Sequence, residues 1–261
     1  MRCIEIMPIQ DLVTIMEKLL SPIGGCPWDL EQTPQTLAPF AIEEAHELAE
    51  ALERKDIKGI KEELGDLLLQ VVFHSTLAQK EKLFTFEEVI QGICTKLIRR
   101  HPHVFGDEKV ANADEVLKNW DIIKKGEKKE QALGDFNIPL SLPALQRAQK
   151  IGDKTKNLKF DWSSAKEVFE KVEEEFKELK EAYKSGDPKH TSEELGDLFF
   201  VLAQLARHLK LEAETVARAG NRKFENRFKK LLELALKQGA DFNKLKLVEK
   251  EKLWEQVKKS E

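Results

Sequence analysis

EEAHELAEALERKDIKGIKEELGDLLLQVV, residues 43–72, carries carboxylates at Glu43, Glu44, Glu47, Glu63 and Asp66. The arrangement returns in EEFKELKEAYKSGDPKHTSEELGDLFFVLA, residues 174–203, with Glu174, Glu175, Glu178, Glu194 and Asp197. Each acid maps onto its partner by one constant step, 174 − 43 = 131 and 197 − 66 = 131, with no gap inside the motif. Leu64, Leu67, Leu68, Val71 and Val72 recur at helical spacing, and Leu195, Leu198, Phe199, Leu202 and Ala203 repeat the pattern. Between the acidic segments of the second copy stands Ser185-Gly186-Asp187-Pro188. Glycine suits a helix C-terminus, aspartate an N-cap and proline a first helical turn. Asp56 occupies the same point in the first copy. Each motif therefore reads as two antiparallel helices joined by a short turn.

Further landmarks recur in order on either side. Trp28-Asp29 precedes the first copy and Asp161-Trp162 the second. Lys96 and Arg100 follow the first, Lys223 and Arg227 the second, and Trp-x-x-x-Lys closes both, at Trp120 with Lys124 and Trp254 with Lys258. The chain is an internal duplication of all-α class, two tandem helical-bundle domains. The expected division is 1–125, a charged linker over 126–145 that ends with Pro139 and Pro143, and 146–261. A helical lead-in runs from Ala144 to about Lys156.

On a helix, Glu44 and Glu47 share one side, as do Glu63 and Asp66, and the hairpin brings those sides together. Glu63 and Asp66 directly precede Leu64 and Leu67 of the apolar stripe, which puts them at the edge of the expected core. Like charges one turn apart cost a few tenths of a kcal/mol each, and crowding four near a core costs more unless a cation neutralises them. Gly65 and Gly196 sit inside helices, where glycine costs about 1 kcal/mol relative to alanine; there they allow a ligand or a neighbouring helix to come close. Oxygen ligands without His or Cys select a hard cation, Mg²⁺ with Mn²⁺ as substitute, which leaves positions for phosphate oxygens. Lys223 and Arg227, one turn apart with Asn221 nearby, read as a clamp for those phosphates, and Lys96 with Arg100 likewise. In each Trp-x-x-x-Lys pair the indole suits a base and the lysine a phosphate; packing is the plainer alternative.

At these residues the sequence resembles the MazG family of nucleoside triphosphate pyrophosphohydrolases in its two-copy bacterial form. The resemblance runs nearly end to end. It includes Gly25-Cys26-Pro27-Trp28-Asp29, Arg99-Arg100-His101-Pro102-His103-Val104-Phe105, Leu142-Pro143-Ala144-Leu145, Phe160-Asp161-Trp162 and Lys223-Phe224 with Arg227-Phe228. Lys159 departs from it, standing where glycine is expected. The resemblance implies a homodimer, Mg²⁺ dependence, and cleavage of NTPs or dNTPs to the monophosphate and pyrophosphate as a house-cleaning activity on the nucleotide pool, ATP among the substrates. The metal ligands it implies are Glu175, Glu178, Glu194 and Asp197, with Glu44, Glu47, Glu63 and Asp66 in the first copy. Glu174 is then the expected proton acceptor, and Lys223, Arg227 and Lys258 the groups that stabilise the leaving pyrophosphate.

The copies differ at one telling place. Lys171 lies one turn before Glu175, whereas the first copy has Phe40 there. The extra cation marks the second copy as the expected main catalytic site, with the first active, slower, or retained for binding and assembly. His101 and His103, flanking Pro102, read as structural.

Near-balance of 43 basic and 47 acidic residues argues against general affinity for nucleic acid or anionic membrane. The dispersed cysteines Cys3, Cys26 and Cys94 suit a reduced cytoplasmic protein without zinc, and no apolar stretch is long enough to span a membrane. A dUTP-type or phosphoribosyl-ATP pyrophosphohydrolase fits the duplicated, Trp-flanked layout less well. A nucleotide-sensing or partner-binding helical protein without turnover would be favoured by loss of a motif acid, and none is missing.

Overall fold

The computed structural model describes residues 8–127 and 136–260. Cys3 and positions 128–135 of the expected linker lie outside the described residues. The chain divides into two compact units, Met1–Glu130 and Gln131–Glu261. Among the described residues there is no β-strand.

The first unit runs α1 (Pro8–Leu19), α2 (Pro27–Leu30), α3 (Pro34–Arg54), α4 (Ile57–Lys80), α5 (Phe86–Arg100), α6 (Pro102–Phe105) and α7 (Ala113–Glu127). Threonine capping boxes at Thr33 and Thr85 start α3 and α5. The hairpin of α3 and α4 turns through Lys55, left-handed at φ 57°, and Asp56, whose Oδ1 accepts from Lys58 N and Gly59 N at 3.1 Å. Val13, Met16, Leu20, Leu37, Val72, Phe73 and Phe86 close the core.

The second unit repeats this plan. It comprises α8 (Ala144–Asn157), α9 (Ala165–Ser185), α10 (Pro188–His208), α11 (Ala213–Lys237), a 3₁₀ turn (Phe242–Lys244) and α12 (Leu247–Lys259). Gly186 takes the left-handed turn position at φ 75°, and Asp187 caps α10 through Lys189 N and His190 N. Lys159 is also left-handed, at φ 62°, which accounts for a glycine being expected there. Helices α8 and α11 pack on α10, and α12 packs on α11 around Leu231, Ala235, Leu253 and Val257. Gly152 makes the α8–α10 approach possible, because a Cβ there would stand 1.8 Å from Gln204 Oε1 and 2.7 Å from Arg207 Nε.

The apolar stripe is not all core. Val72 and Ala203 are buried, but Leu64, Leu68 and Val71 on α4 are 53%, 40% and 41% exposed, and Leu195, Phe199 and Leu202 on α10 are 40%, 53% and 41% exposed. The reason is geometric: α4 and α10 each carry two apolar sides, and each unit covers only the one bearing Val72 or Ala203. Among the described residues, a Cβ at Gly65 or Gly196 would meet nothing within 4 Å, so no described element uses either glycine for close approach.

The segment before α9 is pinned by a buried ion pair. Asp161 Oδ1 and Oδ2 accept from Arg207 Nη2 at 2.5 Å and Nη1 at 3.0 Å, with His208 Nε2 at 3.1 Å. Arg207, aided by His208 and opposed by burial, holds the Asp161 carboxyl down to about 2. Stability from this pair is present above the ordinary carboxylate range and is lost as the pH falls from about 4 towards 2; thermal melts should show that acid limb in the wild-type protein and not in Asp161→Asn, which should be less stable at neutral pH. Gly152→Ala should destabilise the second unit by about 1–3 kcal/mol through overpacking, read as a lower melting temperature.

Candidate functional site

Helical spacing and the α3–α4 and α9–α10 hairpins bring three carboxylates of each copy together. One oxygen each from Glu44, Glu63 and Asp66 lies within 4.8 Å of the others, and the same holds for Glu175, Glu194 and Asp197. Glu175 is 6% exposed, which water alone does not compensate. Glu47 and Glu178 are exposed and do not join this tight convergence. Glu47 is close enough, however, to raise the carboxyls of its neighbours.

The two clusters differ in charge compensation. In the first, burial foremost and then Asp66, Glu47 and Glu43 push Glu44 above the usual carboxylate range. Burial foremost and then Glu47, Asp66, Glu44 and Glu62 do the same to Glu63. In the second, Lys171 Nζ sits 2.7 Å from Glu175 Oε1 and 2.9 Å from Glu174 Oε1. Those bonds, Glu175 first, raise the lysine well above its ordinary value. His190 Nε2 lies 3.1 Å from Glu194 Oε1. By the constant step, the first copy has Phe40 for Lys171 and Gly59 for His190, and Phe40 packs edge-on against Trp28 at 6.0 Å. His190 was not singled out from sequence, although its position four before Glu194 on a helix carried the signal. Carboxylates without nitrogen or sulfur donors among the clustered ligands fit a hard divalent cation.

The basic residues stand in other settings. Arg100 is engaged by Glu127, Nη2 to Oε2 at 2.5 Å and Nε to both oxygens at 3.2 Å, and Arg99 Nε joins at 2.9 Å. Arg100 foremost holds Glu127 down to about 2. Lys96 is exposed on the same helix. Lys124 Nζ lies over the Trp120 ring, 5.3 Å from its centroid, and Trp120 packs against His101 at 5.0 Å. His101 also contacts His103 at 5.6 Å. In the second unit Lys223 lines a cleft along α11 with Arg222, Asn226, Lys229 and Lys230, and none of the three cluster carboxylates lines it. Asn221 is exposed and Arg227 half-buried. Trp254 packs on Phe224 at 5.2 Å at the α11–α12 contact and stays half-buried, and Lys258 is engaged by Glu255.

Comparison with known proteins bears on this geometry. Residues 32–105 and 163–232 match the family described as the MazG nucleotide pyrophosphohydrolase domain, once across each hairpin. The chain is 46% identical over 252 residues to the "Nucleoside triphosphate pyrophosphohydrolase/pyrophosphatase MazG" of Thermotoga maritima, covering 95% of each protein. It is 42% identical over 257 residues to the "Nucleoside triphosphate pyrophosphohydrolase" of Escherichia coli K12, covering 97% of this chain and 98% of that one. A solved structure of a mazG-related protein from Thermotoga maritima aligns with 45% of this chain and 99% of its own length, at 31% identity and a TM-score of 0.39.

If both clusters hold a cation, Mn²⁺ titration followed by electron paramagnetic resonance should find two sites per chain, with Glu63→Gln removing one and Glu194→Gln the other. Protons compete for Glu44 and Glu63 from above the usual carboxylate range, so first-copy binding should weaken earlier as pH falls. Lys171→Met should tighten nucleotide-free Mn²⁺ binding at the second cluster by removing the competing ammonium.

Proposed function

This chain belongs to the MazG family of nucleotide pyrophosphohydrolases, and from that premise we propose that it hydrolyses nucleoside triphosphates with Mg²⁺ at the acidic hairpins, chiefly that of the second copy. It is an enzyme, a nucleoside triphosphate pyrophosphohydrolase, which releases the monophosphate and pyrophosphate. The observation that carries the site assignment is the convergence of Glu175, Glu194 and Asp197 to within 4.8 Å, with a buried member and no zinc-type ligand in the group.

Glu175, Glu194 and Asp197, with Glu178 one turn along α9, would hold the cation, and Glu44, Glu47, Glu63 and Asp66 the corresponding one. When bound, Mg²⁺ offsets phosphate charge and favours ionisation of the attacking water. Glu174, exposed beside the cluster, accepts the proton as the water oxygen bonds to phosphorus and the anhydride oxygen leaves with pyrophosphate. Lys171 is a switchable partner: it pairs with Glu174 and Glu175 in the free protein and turns to a substrate phosphate when the carboxylates are engaged. Lys223, Arg227 and Lys258, with Asn221 and Trp254, receive the departing charge or the nucleotide. In the first copy Lys96, Arg100, Trp120 and Lys124 hold these places, with Arg100 bound to Glu127 and Lys124 over Trp120; what supports the second copy as the main centre is Lys171 beside its carboxylates, where the first copy has Phe40.

Further parts of the reading are a homodimer, a broad house-cleaning action on NTPs and dNTPs including ATP, and a cytoplasmic setting alongside that pool. The open apolar sides of α4 and α10 are what a partner protomer would cover. Among the described residues no helix is long and apolar enough to cross a membrane.

Pyrophosphate release from the eight common NTPs and dNTPs with Mg²⁺ tests the proposal. Glu194→Ala should lower kcat by about a hundredfold or more while Glu63→Ala keeps most of it. The reverse pattern moves the chemistry to the first copy, and no release from any substrate overturns the assignment.

A further inference from the structure

We propose that the side-chain amide oxygen of Gln70 is a further ligand of the cation at the first unit's acidic hairpin, so that protein oxygens fill more of that site than of its counterpart. The inference rests on the reading of the hairpins as cation sites. Gln70 is 8% exposed, and among the described residues its Oε1, cut off from solvent, has no hydrogen-bond partner. A buried amide oxygen left unpaired costs stability. The second unit shows that the fold does not require one there. By the constant step the counterpart of Gln70 is Val201, 3% exposed. An amide kept where valine packs needs a use.

Its place in the helix supplies one. Glu63, Asp66 and Gln70 follow one another on α4 at i, i+3 and i+7, along one strip. Gln70 stands one turn beyond Asp66, roughly 6 Å along the axis. Helical side chains lean back towards the N-terminus, over the preceding turn. A glutamine there is directed towards Asp66, and so towards the place where oxygens of Glu44, Glu63 and Asp66 converge within 4.8 Å.

The opposite helix sharpens the contrast between the copies. α3 and α4 form an antiparallel hairpin and pack on one another, so the turn after Asp66 meets the turn before Glu44, where Phe40 stands. At this level the second unit has Val201 and Lys171, and the lysine brings an ammonium to 2.7 Å from Glu175 Oε1. The first unit has Gln70 and Phe40, which bring an oxygen and no positive charge. One hairpin answers its acids with an ammonium of its own. The other adds a neutral oxygen to its acids and calls for a cation from outside. Carboxylates joined by an amide carbonyl form a hard donor set suited to a divalent cation, and each protein oxygen in that shell leaves one position fewer for phosphate.

The test is Mn²⁺ titration of the full chain, followed by electron paramagnetic resonance without nucleotide, in a Glu194→Gln background that removes the second site. Gln70→Val, which copies the second unit, should raise Kd for Mn²⁺ about tenfold or more, the scale of losing a group that holds or orients a metal's ligands. Its melting temperature without metal should be unchanged or higher, because an unpaired buried oxygen has gone. Gln70→Glu keeps an oxygen at the position and should hold Mn²⁺ at least as tightly as the parent at neutral pH. Unchanged Mn²⁺ affinity in Gln70→Val overturns the inference, and a lowered melting temperature alongside it would assign the amide to packing instead. Absence of Mn²⁺ binding in the Glu194→Gln parent also overturns it. The hydrolase reading is judged separately, by pyrophosphate release from the wild-type chain.

Discussion

Three like charges held within one cation's reach are the constraint on which the rest of each unit turns. The α3–α4 and α9–α10 hairpins impose it through geometry that is almost wholly local: acids one turn apart on each helix, and an aspartate-capped turn between them. Such a cluster is unfavourable in isolation. In the first unit the strain is visible in Glu44 and Glu63, held above the usual carboxylate range by burial and by their neighbours. In the second, Lys171 and His190 contact the same carboxylates. One backbone arrangement thus meets two electrostatic solutions, one open to an outside cation and one partly answered from within.

The sequence carried those features whose cause is local. The hairpin turns followed from Gly, Asp and Pro chemistry, and both aspartate caps are present. The glycine expected at Lys159 corresponds to a left-handed residue. Contacts set by tertiary packing were not legible. Glu127 reaches Arg100 across 27 residues, and Asp161 reaches Arg207 across 46. The side of α4 that faces the core was also misread, because Leu64, Leu68 and Val71 have the spacing of a core stripe while the folded unit buries Val72 and Phe73. Periodicity shows that a face is apolar and not what covers it.

Duplication makes the residues that differ as informative as those that agree. Equivalent positions share a backbone setting, so a difference at one of them is close to an internal substitution experiment. Phe40 against Lys171, Gly59 against His190 and Phe73 against Gln204 fall along the same hairpin. The first two exchange neutral groups for titratable ones beside the acids. The third exchanges a core ring for an amide beside a cavity. The exchange also runs the other way, since buried Gln70 of the first unit corresponds to buried Val201 of the second, while Glu175, Glu194 and Asp197 keep the convergence of Glu44, Glu63 and Asp66. The first unit keeps the carboxylates, with a core ring at position 73 and Arg100 bound to Glu127. A cation there can still neutralise the acids and hold α3 against α4, which gives the shared motif a structural use even where no phosphate is engaged.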